Sequence, residues 1–154
     1  MLTVYRICKT KYAKSAFDGE GAFRFGGRWN SRGVRMVYAA GSLALAVLEM
    51  LVHLDDDESL FSYSFVAAQI PTALSLPVAS YRPLPKDWDT SPAPVELQQL
   101  GDDWAREKVS AVLEVPTAII PREKNYLLNP AHPDFAQIKI ETPERFVFDE
   151  RLHG

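Results

Sequence analysis

Between Gly26 and Glu49 the chain sets an arginine, a tyrosine and a carboxylate in a pattern that packing alone does not explain. The pair Gly26-Gly27 frees the backbone, and Arg28 directly after it carries a planar fork suited to phosphate or carboxylate oxygens. Glu49 stands in an apolar run, LALAVLEML, where a carboxylate is costly to bury without partners. Together these residues suggest a cleft for an anionic, ribose-bearing ligand.

Each residue also has a plainer reading. Gly26-Gly27 can simply make a turn: no G-x-G-x-x-G opens a helix here and no phosphate-loop lysine follows. Arg6 lies in an apolar strand pattern, on the face opposite Tyr5 and Ile7. It is either a solvent-facing strand arginine or a second cation on the floor of the same site. Glu49 either pairs with His53 on a polar stripe or is held, buried, for function. The helix is apolar all round, which favours the second. Tyr38 is a core tyrosine with its hydroxyl at the edge, or a ring that faces a flat, cationic ligand.

These side chains need elements to carry them. Thr3–Cys8 and Arg35–Ala40 read as strands, and Ser42 caps a helix running to about Leu54, ahead of the acidic run 55–58. Residues 12–24 read as a loop and 61–66 as a half-buried strand, with 72–77 a short continuation of it. Residues 80–94, with four prolines, read as a long surface connection. Residues 95–108 follow as a helix broken at Gly101. Residues 109–115 and 118–120 read as strands, 125–134 as a turn region, and 137–140 and 146–148 as the last strands. The sum is an α+β fold with mixed strands and few helices, a single compact domain over residues 1–154.

Composition narrows the function classes. With 154 residues, 47% hydrophobic and 24% charged, the chain can bury a core without staples. Its net charge of −3 argues against a nucleic-acid binder and, with no paired histidines, against a nuclease. One cysteine, Cys8, allows no intrachain disulfide and reads as a buried, inert thiol. His53, His132 and His153 lack zinc spacing, so no metal is expected. The acidic run reads as solvated surface, and Trp29, Trp88 and Trp104 as packing anchors. No apolar run is long enough to span a bilayer, and the expected home is a bacterial cytoplasm.

In combination, YRI at Tyr5–Ile7, GGRWN at Gly26–Asn30, VY at Val37-Tyr38, LEMLVHL around Glu49 and VPTAIIPREKNYLLNPAHPDF at Val115–Phe135 resemble the RES-domain family. Members of that family are toxins of bacterial toxin–antitoxin pairs. The resemblance spans essentially the whole chain and places the signature arginine at Arg28 and the glutamate at Glu49. The serine position falls on Thr117, which keeps the hydroxyl and adds a methyl.

The resemblance implies a fold similar to ADP-ribosyltransferase toxins, with NAD as substrate rather than cofactor and its nicotinamide–ribose bond as the target. Phosphate, water or a protein would be the acceptor. Arg28, Glu49 and Thr117 would be catalytic. Arg6, Tyr38, Asn125 and Tyr126 would bind substrate. Partners implied are inorganic phosphate, an Xre-type antitoxin that caps the cleft, and further copies of the chain. A rival from another class is a module that binds nucleotide or antitoxin without turnover.

Overall fold

In the computed structural model, which describes residues 1–53 and 62–152, eight strands form one mixed sheet. β1 (Leu2–Lys9) pairs antiparallel with β3 (Tyr63–Ile70) along its whole length, from Leu2 opposite Ile70 to Lys9 opposite Tyr63. On its other side it meets β2 (Val37–Ala40) through the single pair Tyr5 and Ala40. β2 pairs antiparallel with β6 (Lys124–Leu128), and β6 with β5 (Val112–Pro116). β4 (Ser75–Pro77) runs parallel to β5 at that edge, while β7 (Lys139–Ile140) and β8 (Glu144–Phe146) both pair with β3.

Among the described residues four α-helices accompany the sheet: α1 (Glu20–Phe25), α2 (Leu43–Leu51), α3 (Val78–Tyr81) and α4 (Val95–Arg106). Because successive strand residues alternate faces, the sheet sorts its side chains into two layers. Val4, Val37, Ala39, Val66, Val112, Tyr126 and Leu128 pack on one face with Ala13, Ala16 and Phe17. The other face holds two clusters. α4 lays Leu97, Leu100 and Trp104 against Leu113, Val115 and Leu127. α2 lays Leu45 and Ala46 against Ile7, Ala40, Tyr63 and Phe148. The two clusters meet near β2, the strand that carries Tyr38.

Ser42 caps α2 as its sequence predicts, its Oγ accepting from Leu45 N at 3.1 Å. Several expectations are corrected. Residues 20–24, expected in a loop, belong to α1, which is entered through Gly19 in the left-handed region and through Asp18 Oδ1, which accepts from Glu20 N at 2.9 Å. Residues 72–77 do not continue β3; a 3-10 turn carries the chain to the opposite sheet edge, where β4 forms. Residues 118–120 are not a strand.

Residues 125–128, expected in a turn region, are the heart of β6, with Leu127 and Leu128 fully buried. α4 is not broken at Gly101. A Cβ there would fall inside the Trp29 carbonyl, so that glycine serves close approach rather than flexibility. The acidic run and His153 lie outside the described residues, as does Phe61 of the expected 61–66 strand.

Candidate functional site

Arg28 rides at the tip of a tight loop. Gly26 adopts φ +72°, and Gly27 N donates to Asn30 O at 2.9 Å, closing the loop on itself. A side chain at Gly27 would collide with the Tyr38 hydroxyl. Asn30, fully buried, anchors the loop: its Nδ2 donates to the carbonyls of Ala22, Ser31 and Val34, and its Oδ1 accepts from Tyr38 Oη at 2.6 Å. Tyr38 Oη also accepts from Trp29 N at 3.0 Å. The glycines therefore shape the turn rather than cradle a phosphate. The Arg28 guanidinium donates through Nη1 to Trp88 O at 3.0 Å, which leaves Nε and Nη2 to reach a ligand.

Burial, more than any neighbouring charge, raises the Tyr38 hydroxyl well above its ordinary value; the charges of Arg28 and Arg6 act the other way. The phenol thus stays protonated, and its oxygen is held between Trp29 N and Asn30 Oδ1.

Glu49 faces two donors distant in sequence, one in β6 and one just beyond β5. Thr117 Oγ1 donates to Glu49 Oε1 at 2.6 Å, and Asn125 Nδ2 donates to the same oxygen at 2.8 Å. Thr117, 2% exposed, in turn accepts from Ile119 N at 3.2 Å, so its proton is committed to the carboxylate. No pair with His53 forms. With both donors on Oε1, Glu49 Oε2 accepts no hydrogen bond from the described residues.

The register joins this cluster to the arginine loop. Asn125 stands opposite Ala40 and Tyr38 opposite Leu127, so Tyr38 and Asn125 are diagonal neighbours on one face. Thr117 continues β5 two residues beyond Val115, which is itself opposite Asn125, and shares that face. Arg28, Tyr38, Glu49, Thr117 and Asn125 are thus brought to one side of the sheet.

Arg6 enters from the seam. Val4 and Cys8 on either side of it pack with the opposite layer, yet its Nη1 reaches Tyr38 O at 2.9 Å where β1 and β2 cease to pair. It is not a solvent-facing arginine. Burial lowers its guanidinium below the ordinary value, its buried Nε–H has no acceptor, and no carboxylate pairs with it among the described residues.

Tyr126 does not join the group. Period-two alternation turns it away from Asn125 into the opposite layer, where its hydroxyl lies 3.4 Å from Glu114 Oε2. A groove of about 590 Å³, lined by Lys14, Asp18, Glu20, Arg35 and Phe135 among others, contains none of these site residues. No group of three or more His, Cys, Asp or Glu among the described residues could hold a metal ion.

Sequence reasoning missed four supports of the site: Asn30, the Trp88 carbonyl, Gln98 and Asp102. Gln98 Nε2 donates to Gly27 O at 2.9 Å and Asn30 O at 3.1 Å, and Asp102 Oδ1 accepts from Ser31 N at 2.8 Å. A signal was available in the i, i+4 spacing of Gln98 and Asp102 on either side of Gly101, beside the apolar stripe of α4.

Comparison with known proteins agrees with this architecture. The model of the RES domain matches residues 3–149. This chain belongs to the RES-domain family. It is 39% identical over 153 residues to the Toxin Res of Photorhabdus laumondii, covering 98% of this chain and 97% of that one. The Toxin Res of Yersinia enterocolitica is 35% identical over 152 residues, covering 98% and 99%. A protein of Sphingobium sp. named Prs ADP-ribosylating toxin is 40% identical over 143 residues, covering 92% and 89%. Among solved structures, a chain of the Mycobacterium tuberculosis MbcT–MbcA toxin–antitoxin complex superposes with a TM-score of 0.73 at 20% identity, covering 94% of this chain and 84% of that one. At that identity the likeness speaks for the fold.

Proposed function

We propose that this RES-domain protein is the toxin of a bacterial toxin–antitoxin pair and consumes NAD by breaking its nicotinamide–ribose bond. The observation that carries the reading is Glu49, with Oε1 held by Thr117 and Asn125 and Oε2 accepting no hydrogen bond from the described residues, on the sheet face that also presents Tyr38 and Arg28. A carboxylate fixed in this way is suited to a cation that develops on a sugar ring.

In the proposed reaction the bond from ribose C1′ to the nicotinamide nitrogen breaks, and its electron pair leaves with nicotinamide, which becomes neutral. Positive charge then spreads over C1′ and the ring oxygen. Glu49 Oε2 stabilises that charge through proximity and through the ribose hydroxyls. A lone pair on the acceptor oxygen completes the new bond at C1′, and the acceptor's proton passes to solvent. Arg28 and Arg6 bind the diphosphate or an incoming phosphate, and the Tyr38 ring stacks on nicotinamide. Thr117 and Asn125 act chiefly through Glu49. Tyr126, in the opposite layer, has no part in the step.

The acceptor divides two readings. Release of a small product, by phosphate or water, is the first. Transfer of ADP-ribose to a protein is the second, favoured by the name of the Sphingobium relative. Incubating the purified protein, free of antitoxin, with NAD and with or without inorganic phosphate tests both. Phosphate-dependent loss with a phosphorylated ADP-ribose product supports phosphorolysis, and phosphate-independent loss supports hydrolysis. Label on a polypeptide supports transfer, and no loss at all contradicts an enzymatic role. The antitoxin partner is proposed from the family and from the MbcT–MbcA complex, with the bacterial cytoplasm as the site of action.

A further inference from the structure

We propose that α4 positions Arg28 for its anionic ligand, with Gln98 as the residue that does so. The inference rests on the reading of Arg28 as a diphosphate-binding group. Three residues on one turn of α4 meet the arginine loop. Gln98 Nε2 donates to the carbonyls of Gly27 and Asn30, the two ends of the loop whose tip is Arg28. Gly101 lets the Trp29 backbone press against the helix, and Asp102 takes Ser31 N. Arg28 is thereby bracketed by backbone held at Gly27, Trp29, Asn30 and Ser31, while its side chain leans on Trp88 O.

A guanidinium must be aimed to make two parallel bonds to a phosphate, so a shift of the loop costs binding before it costs chemistry. Gln98 is the adjustable member of the set. Gly101 acts by absence and cannot be altered without a clash, whereas Gln98 reaches the loop through a flexible side chain. It is half buried, and its Nε2 is committed to the two loop carbonyls. It is a positioning residue.

The test is a double-mutant cycle on NAD consumption with Gln98→Met, which keeps the side chain's length without its donor, and Arg28→Ala. Gln98→Ala serves as a second variant, and thermal unfolding confirms folding. Gln98→Met is expected to raise KM for NAD about tenfold, the size of losing one such hydrogen-bonding group, with kcat within about twofold. In the Arg28→Ala background it should add almost nothing, because the group it aims is gone. Independent, multiplying losses in the double variant overturn the proposal, as does a fall in kcat at constant KM or no effect from either Gln98 variant. If Arg28→Ala itself leaves KM unchanged, the diphosphate role of Arg28 fails, and the positioning role fails with it. If Arg28→Ala raises KM and Gln98→Met does not, only the positioning role fails.

Discussion

A carboxylate in a helix as apolar as LALAVLEML is accounted for by its partners, and those of Glu49 come from β6 and from just beyond β5. Thr117 matters through its hydroxyl, which donates to a charged oxygen. Thr117→Ser should therefore keep NAD turnover within a few-fold of wild type. Thr117→Val preserves the shape and removes the donor, worth about 1.5–3 kcal/mol for a bond to a charged group, or roughly 10–100-fold in rate. Equal turnover by the valine variant would show that the hydroxyl is dispensable. Tyr38 makes a pH prediction. Its folded value lies above its unfolded one, so the fold holds the proton, and the associated stability is present below about pH 10 and falls as pH climbs beyond it. Of the six tyrosines in the chain, Tyr38 should contribute nothing to phenolate absorbance between about pH 9 and 11 while the fold persists. Tyr38→Phe should leave that absorbance step unchanged, and a smaller step would mean that the hydroxyl is open to solvent.

At the scale of elements, α4 and the arginine loop are interlocked through Gly101. Gly101→Ala pits a helix-propensity gain of about 1 kcal/mol against overpacking onto the Trp29 carbonyl, which costs about 3 kcal/mol. The clash wins, and the urea midpoint should fall; a rise would mean the loop can retreat freely. That glycine also shows where local reading stops. In sequence Gly101 is a helix breaker, because nothing local announces a carbonyl arriving from seventy residues away. β1, β2 and the Ser42 cap were legible, since strand alternation and capping chemistry are written locally. β6 was hidden by turn-signalling residues in it and after it: Asn125, Asn129, Pro130 and Pro133 signal turns, but Tyr126, Leu127 and Leu128 pair on both sides in the sheet interior. Arg28 and Glu49 stood out by residue type and setting, whereas Thr117 was named only by the family pattern. Gln98 and Asn30 were missed because their role is to satisfy backbone groups, and a backbone group leaves no letter in the sequence. Asn125 and Tyr126 were expected together in a turn region; as neighbours in β6 they point to opposite faces, which separates Tyr126 from the group.

Across the whole molecule, the site lies where two packed units of one sheet face meet, and each must hold its share in place. α2 carries Glu49 and is backed by aromatic residues from near the end of the chain. Phe148 meets Tyr63 edge-on at 5.5 Å and Phe146 at 4.9 Å, within the cluster that holds Leu45 and Ala46. Phe148→Ala should lower unfolding stability by about 3–5 kcal/mol in urea titration; a loss below about 1 kcal/mol would detach the chain's end from the support of α2. The other unit, built on α4, supplies Arg28 and the wall that holds it. Arg6 bridges the seam with a buried charge that no carboxylate of the described residues pairs with, in a protein whose net charge is −3. In the proposed reaction Glu49 is the group that stabilises the ribosyl cation. The decisive measurement is NAD consumption by Glu49→Gln, which keeps shape and hydrogen bonding while removing the charge, against wild type at saturating NAD. Turnover is expected to fall by about 10²–10³ with the fold and NAD affinity retained, and near wild-type turnover would contradict a role for the Glu49 charge in the reaction.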